Sequence, residues 1–180
     1  MTDPSLYSLP FKPGQRVCEL GGGDRPIFRP NVDVRPMPTV DLVADFEKPL
    51  PMYTGEWDGV MGHFCIEHLS WKKVRGFISE VHRILRPGGI AVFVTANLLE
   101  QCRRVVETPE ELWSDDLPCM VFGGQGHEGD FHKCGWSPAF AVKMFKECGF
   151  HAVRVVPYPG AKTDMVIEAT KSSAQISTQL

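Results

Sequence analysis

A short apolar segment that ends in three consecutive glycines constrains this chain more than any other feature. Residues 17–20 read Val-Cys-Glu-Leu, and Gly21, Gly22 and Gly23 follow directly. The apolar run predicts a buried first strand, and glycine permits positive φ and close approach to a ligand because it lacks a Cβ. In open α/β sheets such a turn lies at the carboxyl edge of the strands, where ligands bind. The segment therefore predicts a ligand site after the first strand.

Length and composition narrow the class of protein. The chain has 180 residues, 43% hydrophobic and 23% charged, which predicts a single domain over residues 1–180 with an ordinary core. A formal net charge of −3 favours neither nucleic acid nor an anionic membrane as partner. Neither a signal peptide nor a membrane span is predicted, so we expect a cytoplasmic protein. The six scattered cysteines favour buried thiols over disulfides.

The pattern of apolar residues predicts strands that alternate with helices. Strands are expected near residues 17–20, 32–34, 41–45, 57–64 and 90–95, and a closing hairpin near 152–157 and 164–170. Helices are expected from Ser70, as N-cap, to Leu85, irregularly over 97–113, and from Ser137-Pro138 to 148–149. Residues 1–15 are expected to form an irregular arm and residues 171–180 a polar tail.

This order predicts an α/β fold. We expect a Rossmann-like three-layer sandwich whose mostly parallel sheet ends in an antiparallel hairpin. The links after the first and second strands are too short for ordinary parallel crossovers, which usually need a dozen residues or more. The helices after strands one and two are therefore expected to be reduced to single turns or absent.

Further motifs follow the glycine turn in a characteristic order. They are Asp33, Asp45-Phe46, Trp57-Asp58-Gly59-Val60 and Glu67-His68. In this order and spacing, the set resembles the class I, Rossmann-like S-adenosylmethionine-dependent methyltransferases over roughly residues 16 to 170. Within them the chain most resembles a compact group of predicted methyltransferases that share a late Gly-Gly-Gln and an Asp-Phe-His-Lys segment, here 123–125 and 130–133. The resemblance implies S-adenosylmethionine as cofactor but no defined substrate.

A dinucleotide cofactor is the main alternative ligand. Its fingerprint, Gly-x-Gly-x-x-Gly, opens a helix whose N-terminus holds the pyrophosphate. Gly21 and Gly23 supply the first two glycines, but Pro26 occupies the third position and little helix can follow. S-adenosylmethionine has no phosphate, so the motif favours it over a nicotinamide or flavin dinucleotide.

The resemblance implies roles for particular side chains around the cofactor. Glu19 would orient the glycine turn of Gly21, Gly22 and Gly23 and meet the methionine ammonium. Asp33, with Val34 beside it, would accept hydrogen bonds from the ribose hydroxyls, and Asp45 would accept one from the adenine amino group, with Phe46 beside the ring. His63 and Phe64 would line the pocket at the methyl donor. Structural roles remain open for each: an exposed acid for Glu19, turn or cap residues for Asp33 and Asp45, a core histidine for His63 and a helix-terminal acid for Glu67.

The glycine-rich segment 123–135 is the candidate acceptor side of the site. A hydroxyl acceptor needs a base and histidine is the usual choice, with His132 as first candidate and His127 as second. We expect this segment to be a mobile lid, with an ordinary solvated loop as the alternative. Its possible metal ligands lack recognised zinc spacing, so no metal is expected. They are His127, Glu128, Asp130, His132 and Cys134.

These observations predict an enzyme that transfers a methyl group to a hydroxyl or amine of a small-molecule or sugar-like acceptor. The alternative is a non-catalytic subunit that binds S-adenosylmethionine within a larger methyltransferase complex. The reduced helices leave apolar sheet surface in need of cover, which predicts self-association.

Overall fold

A seven-stranded sheet organises the computed structural model, which describes residues 7–173. Its strands are β1 Val17–Leu20, β2 Asn31–Asp33, β3 Leu42–Val43, β4 Trp57–His63, β5 Leu85–Ala96, β6 Phe150–Tyr158 and β7 Ala161–Lys171. Their order across the sheet is β3-β2-β1-β4-β5-β7-β6. The first five strands are parallel, while β7 runs antiparallel to both β5 and β6. This confirms the predicted Rossmann-like sheet with a closing hairpin.

Four α-helices accompany the sheet in the described residues, and their bounds correct the predictions at several places. They are α1 Val74–Ile84, α2 Leu98–Glu107, α3 Asp116–Phe122 and α4 Pro138–Glu147. Ser70 is not the N-cap of α1, because its carbonyl closes a preceding turn by accepting hydrogen bonds from the amides of Lys73 and Val74. The predicted helical region 97–113 ends at Glu107, because the residue before Pro109 is disfavoured in the helical conformation.

Other boundaries also differ from the sequence pattern. A single 3-10 turn, Glu110–Leu112, follows α2, and α3 was not predicted at all. Strand β5 begins at Leu85 rather than Ile90, because Leu85 pairs with Trp57 across a register shift that accommodates the Pro-Gly-Gly sequence. The N-cap of α4 is as predicted: the hydroxyl of Ser137 accepts a hydrogen bond from the Phe140 amide at 3.3 Å.

The two faces of the sheet are covered differently. Helices α1 and α4 pack on one face, where Phe77, Phe93 and Phe145 belong to the larger core cluster. The other face is covered by Tyr7, Leu9, Phe11 and Phe28, which pack against Val17, Met61, Val92 and Val94. The links 21–30 and 34–41 contain no helix, which confirms the predicted reduction after strands one and two. None of the helices within residues 7–173 has the length and apolar character of a membrane span.

Candidate functional site

The glycine turn after β1 is shaped by contacts that exclude side chains. Gly21 has φ +77°, and a Cβ there would lie 2.5 Å from the Cβ of Cys65. Asn31, fully buried at the start of β2, accepts a hydrogen bond from the Gly22 amide at 3.1 Å and donates one to the Gly23 carbonyl at 3.0 Å. The backbone of the glycine turn is therefore fixed in place, with no side chains between it and the space beyond the carboxyl end of β1.

Glu19 holds the segment that leaves this turn. Its side chain is buried, and one carboxylate oxygen accepts hydrogen bonds from the amides of Ile27 at 2.5 Å and Phe28 at 2.7 Å. Burial raises the pKa of the Glu19 carboxyl, and the two amide hydrogen bonds oppose that shift. Glu19 is not among the residues that line the adjoining cleft, so its observed contacts orient the loop.

A cleft of about 640 Å³ opens beside the glycine turn. The segments after β1, β2, β3 and β4 all contribute to it, together with the 123–135 loop. Its lining residues are Gly21, Asp24, Asp33, Val34, Arg35, Asp45, Phe46, Glu47, Phe64, Cys65, His68, Leu69, His127, Gly129, Asp130 and Lys133. The cleft therefore lies at the carboxyl edge of the parallel strands, where the fold places ligands.

Asp33 ends β2 and ties the second strand to the glycine turn. Only 5% of the residue is exposed, and its carboxylate accepts hydrogen bonds from the amides of Gly23 at 3.2 Å and Arg35 at 2.9 Å. Val34, the next residue, is 52% exposed at the cleft. A buried carboxylate beside the glycine turn has the position expected of an acceptor for ligand hydroxyls.

Asp45 and Phe46 lie further along the same edge, after β3. The Asp45 carboxylate accepts a hydrogen bond from the Glu47 amide at 2.9 Å and lies 3.1 Å from the Lys48 ammonium. These two contacts lower the pKa of that carboxyl, the amide contributing most. Phe46 is buried and stacks on Phe77 with ring centroids 5.2 Å apart. Phe46 thus forms an apolar floor, while Asp45 remains half-exposed at the rim.

Of the adjacent residues His63 and Phe64, only Phe64 lines the cleft. Phe64 lines the cleft and has φ +49°, a strained conformation for a bulky residue and one that clusters at functional sites. His63 does not line the cleft; its ring lies 6.2 Å from that of Tyr158, and its Nε2 is buried without a hydrogen-bond partner in the described chain. Burial lowers the pKa of the His63 imidazole.

A second, smaller cavity of about 200 Å³ adjoins the cleft. It is lined by Glu67, Ala96, Leu98, Gln101, Val121, Phe122, His132, Lys133, Cys134, Gly135 and Trp136. Glu67 is 1% exposed; its Oε2 accepts a hydrogen bond from the Thr95 hydroxyl at 2.9 Å. Within residues 7–173 neither Glu67 Oε1 nor Trp136 Nε1 has a hydrogen-bond partner. Buried polar atoms without partners are costly, so both atoms call for an explanation at this cavity.

Burial raises the pKa of the Glu67 carboxyl to about 7, in part offset by the hydrogen bond from the Thr95 hydroxyl. The carboxyl therefore lies near the boundary between its neutral and ionised forms at neutral pH. Such perturbed carboxyls concentrate at functional sites.

The 123–135 loop separates the cleft from the cavity and places the two candidate bases apart. His127 lines the cleft, with its Nε2 3.0 Å from Arg35 Nη1, whereas His132 lines the cavity. Lys133 lines both spaces. The amides of Lys133 and Cys134 donate to the Glu67 carbonyl at 2.7 and 3.0 Å, which fixes the end of the loop to the turn after β4.

Several residues around the site were not singled out from the sequence. Asn31, Arg35, Cys65 and Trp136 carry no recognisable motif of their own, because each acts through a contact with a distant segment. Glu67 was noted in the sequence, but only its burial and its unpaired oxygen distinguish it from a helix-terminal acid.

Comparison with known proteins finds similarity to methyltransferases. Residues 27–93 match the family model described as methyltransferase domain. That match covers 67 of the 180 residues and supports a class I methyltransferase. Over 107 residues it is 29% identical to an uncharacterized methyltransferase of Synechocystis sp., an alignment that spans 49% of this chain and about half, 50%, of that protein.

Solved structures show the same fold. A methyltransferase from Mesorhizobium loti described as S-adenosylmethionine-dependent superposes with a TM-score of 0.64 at 16% identity, over 93% of this chain and 96% of that one. A putative methyltransferase of Haloferax volcanii, in complex with the activator Trm112, superposes with a TM-score of 0.61 at 16% identity, over 93% and 87% of the two chains. S-adenosylmethionine is the cofactor that this methyltransferase family indicates.

The residues around the cleft fit that cofactor. The glycine turn leaves backbone accessible at Gly21, where a Cβ would collide with Cys65, and the cleft offers a buried carboxylate, an apolar floor and a second carboxylate in sequence. No helix of the described chain begins at the glycine turn, so the usual partner of a pyrophosphate is missing from this side of the cleft.

Proposed function

We propose that the chain catalyses methyl transfer from S-adenosylmethionine to a hydroxyl or amine of a small-molecule or sugar-like acceptor. The observation that carries the proposal is the pairing of two adjoining spaces: a cleft over the glycine turn and a polar cavity beside it, separated by the 123–135 loop. The cleft has the size and lining for the cofactor, and the cavity has unpaired polar atoms for an acceptor.

In this proposal the cofactor lies along the carboxyl edge of the strands. Its methionine end lies over Gly21, Gly22 and Gly23, its ribose beside Asp33 and Val34, and its adenine between Asp45 and Phe46. Glu19 acts by fixing the loop after the glycine turn, and Phe64 lines the cleft. His63, which lies off the cleft, remains a candidate for lining the donor pocket only through its contact with Phe64.

Methyl transfer mainly requires alignment of the methyl donor with the acceptor atom. Methyl transfer is an in-line displacement at a carbon that the sulfonium already activates, and positioning alone can contribute about 7–11 kcal/mol. For a hydroxyl acceptor we propose His132 as general base and His127 as the second candidate. Burial lowers the pKa of the His132 imidazole, so the ring is neutral at pH 7, the state that accepts a proton.

Asp33→Ala is expected to weaken S-adenosylhomocysteine binding by about 1.5–3 kcal/mol, because the ribose hydroxyls lose a charged acceptor. Calorimetric titration measures the effect. Asp24→Ala is the matched control, since Asp24 also lines the cleft but its side chain is 81% exposed. If Asp33→Ala binds within twofold of the parent, another residue holds the ribose.

A non-catalytic role in a larger methyltransferase complex is the second candidate function. The complex of the Haloferax volcanii protein with Trm112 favours it, together with the missing helices after β1 and β2. An acceptor screen with methyl-labelled S-adenosylmethionine separates the two. Label transferred to a small hydroxyl or amine compound by the chain alone supports the enzyme; transfer only after addition of a protein partner supports the subunit.

Self-association is expected through exposed apolar side chains. They lie on and between α2 and α3: Leu99, Val106, Leu112, Trp113 and Phe122, which are 47–84% exposed. A cluster of this kind usually marks an interaction surface. Sedimentation at micromolar concentration should show a species larger than the 20.1 kDa chain. A single species of monomer mass would contradict the expectation.

A further inference from the structure

Three side chains meet where the cleft and the cavity adjoin, and the proposed function uses only one of them. Each of Glu67, His68 and His132 offers an oxygen or nitrogen atom, and these atoms all lie within 4.8 Å of one another. Glu67 and His132 line the cavity, while His68 lines the cleft. The cluster differs from the set of possible ligands suggested by sequence, since two of its members come from the turn after β4.

His68 is held by a protein group through one ring nitrogen. Its Nδ1 lies 3.1 Å from the Phe131 carbonyl, a hydrogen bond that leaves Nε2 free. Metal-binding histidines in proteins are oriented in the same way, with one ring nitrogen donating to a carbonyl and the other facing the ion. The ring of His132 lies beside that of His68, with ring centroids 5.1 Å apart.

Glu67 adds an independent observation. Its Oε2 is fixed by the Thr95 hydroxyl, whereas its Oε1 is fully buried and has no partner among the described residues. An unpaired carboxylate oxygen that is shielded from water, on a side chain grouped with two imidazoles, calls for a cation or a donor group. Two histidines and one glutamate form a ligand set that zinc uses in catalytic sites, where a fourth position stays open.

We propose that Glu67, His68 and His132 bind a first-row divalent cation, of which Zn²⁺ and Co²⁺ suit this set of imidazole and carboxylate ligands better than Mg²⁺. Ligand distances of about 2.0–2.2 Å place tetrahedral ligands about 3.4 Å apart. The observed atoms lie within 4.8 Å of one another, so the two half-buried rings would move closer together when a cation binds. The open position would face the cavity, where a hydroxyl of an acceptor could coordinate.

The inference deepens the proposed function and changes the part played by His132. A ring nitrogen that binds a cation cannot accept a proton, so His132 would be a ligand of the cation rather than a base. If His132 is a ligand, the protein binds a cation at this cluster; if it is only a base, no cation is required there. Both roles leave unchanged the residues proposed to bind the cofactor, which follow β1, β2 and β3.

Titration of chelator-treated protein with Co²⁺ tests the site, since bound Co²⁺ absorbs in the visible range. One equivalent is expected to bind the parent, and Zn²⁺ is expected to displace it. His132→Ala, His68→Ala and the near-isosteric Glu67→Gln are each expected to weaken binding at least tenfold. His127→Ala is the matched control: it removes a histidine of the same loop that lies outside the cluster, and it should bind Co²⁺ as the parent does.

Two outcomes would overturn the inference. One is the absence of stoichiometric binding in a parent protein that still binds S-adenosylhomocysteine, which refutes the cation site without touching the proposed function. The other is equal Co²⁺ affinity in parent, Glu67→Gln and His132→Ala, or a cobalt–thiolate absorption that disappears when the exposed Cys102 and Cys119 are changed to serine. Circular dichroism confirms that each variant is folded before titration.

Discussion

Gly21→Val is expected to abolish binding of S-adenosylhomocysteine. The valine Cβ would lie 2.5 Å from the Cβ of Cys65, so the glycine turn must move away from the position in which it is proposed to hold the methionine end. Calorimetric titration measures the loss. Affinity within twofold of the parent in a folded variant would show that the ligand does not lie over this turn.

Backbone strain must be separated from steric exclusion in that experiment. Gly14→Val is the matched control, because Gly14 has φ +84°, close to the +77° of Gly21, but nothing lies within 4 Å of its Cβ position. Both variants should unfold at lower temperature than the parent, since a β-branched residue is strained at positive φ. Only the Gly21 variant should lose the ligand.

His132→Ala is expected to lower turnover by about 10²–10⁴-fold while leaving S-adenosylhomocysteine affinity nearly unchanged. The ring lies at the cavity rather than in the cofactor cleft, so its removal affects the acceptor side alone. Rates are measured with an acceptor found by the screen. His151→Ala serves as control, since this histidine is exposed on β6, outside both spaces.

The comparison with His127→Ala locates the acceptor. Because His127 lines the cleft beside Arg35, its loss should change turnover less than the loss of His132. Full activity in His132→Ala would remove this residue from the mechanism. A larger loss in His127→Ala would place the acceptor at the cleft instead of the cavity.

Much of the sheet was predictable because its signals are local. The apolar run of β1 followed by Gly21, the continuous β-branched stretch of β5, and the proline-rich links after β1 and β2 each predict their structure from a few neighbouring residues. Ser137 followed by Pro138 marks the start of α4 for the same reason. The family resemblance rests on the same short motifs, which is why it could be stated before any geometry was known.

The features that were missed depend on contacts between distant segments. Helix α3 carries Asp116 and Pro118 in a short apolar stretch, too little for a periodic pattern, and it is positioned by packing on α2. Asn31 acts through the glycine turn, and nothing in its own neighbourhood indicates this. The start of α1 was placed too early because Ser70 matches an N-cap by type, whereas its carbonyl is used in a preceding turn.

In the candidate site, too, one part could be predicted from local sequence and the other part could not. The cofactor residues follow single strands and could be proposed from their spacing, but the acceptor side is assembled from the turn after β4 and the 123–135 loop. The unpaired oxygen of Glu67 and its proximity to His132 appear only when those two segments are brought together. His63 and Phe64 are adjacent in sequence but only Phe64 lines the cleft, and the sequence pattern could not predict this difference.

Calorimetric titration of the unmodified chain with S-adenosylhomocysteine and, separately, with NAD tests the central claim most directly. The account predicts saturable binding of S-adenosylhomocysteine with one site per chain and no measurable heat from NAD, because the glycine turn opens no helix that could hold a pyrophosphate. Saturable binding of NAD without binding of S-adenosylhomocysteine would contradict it.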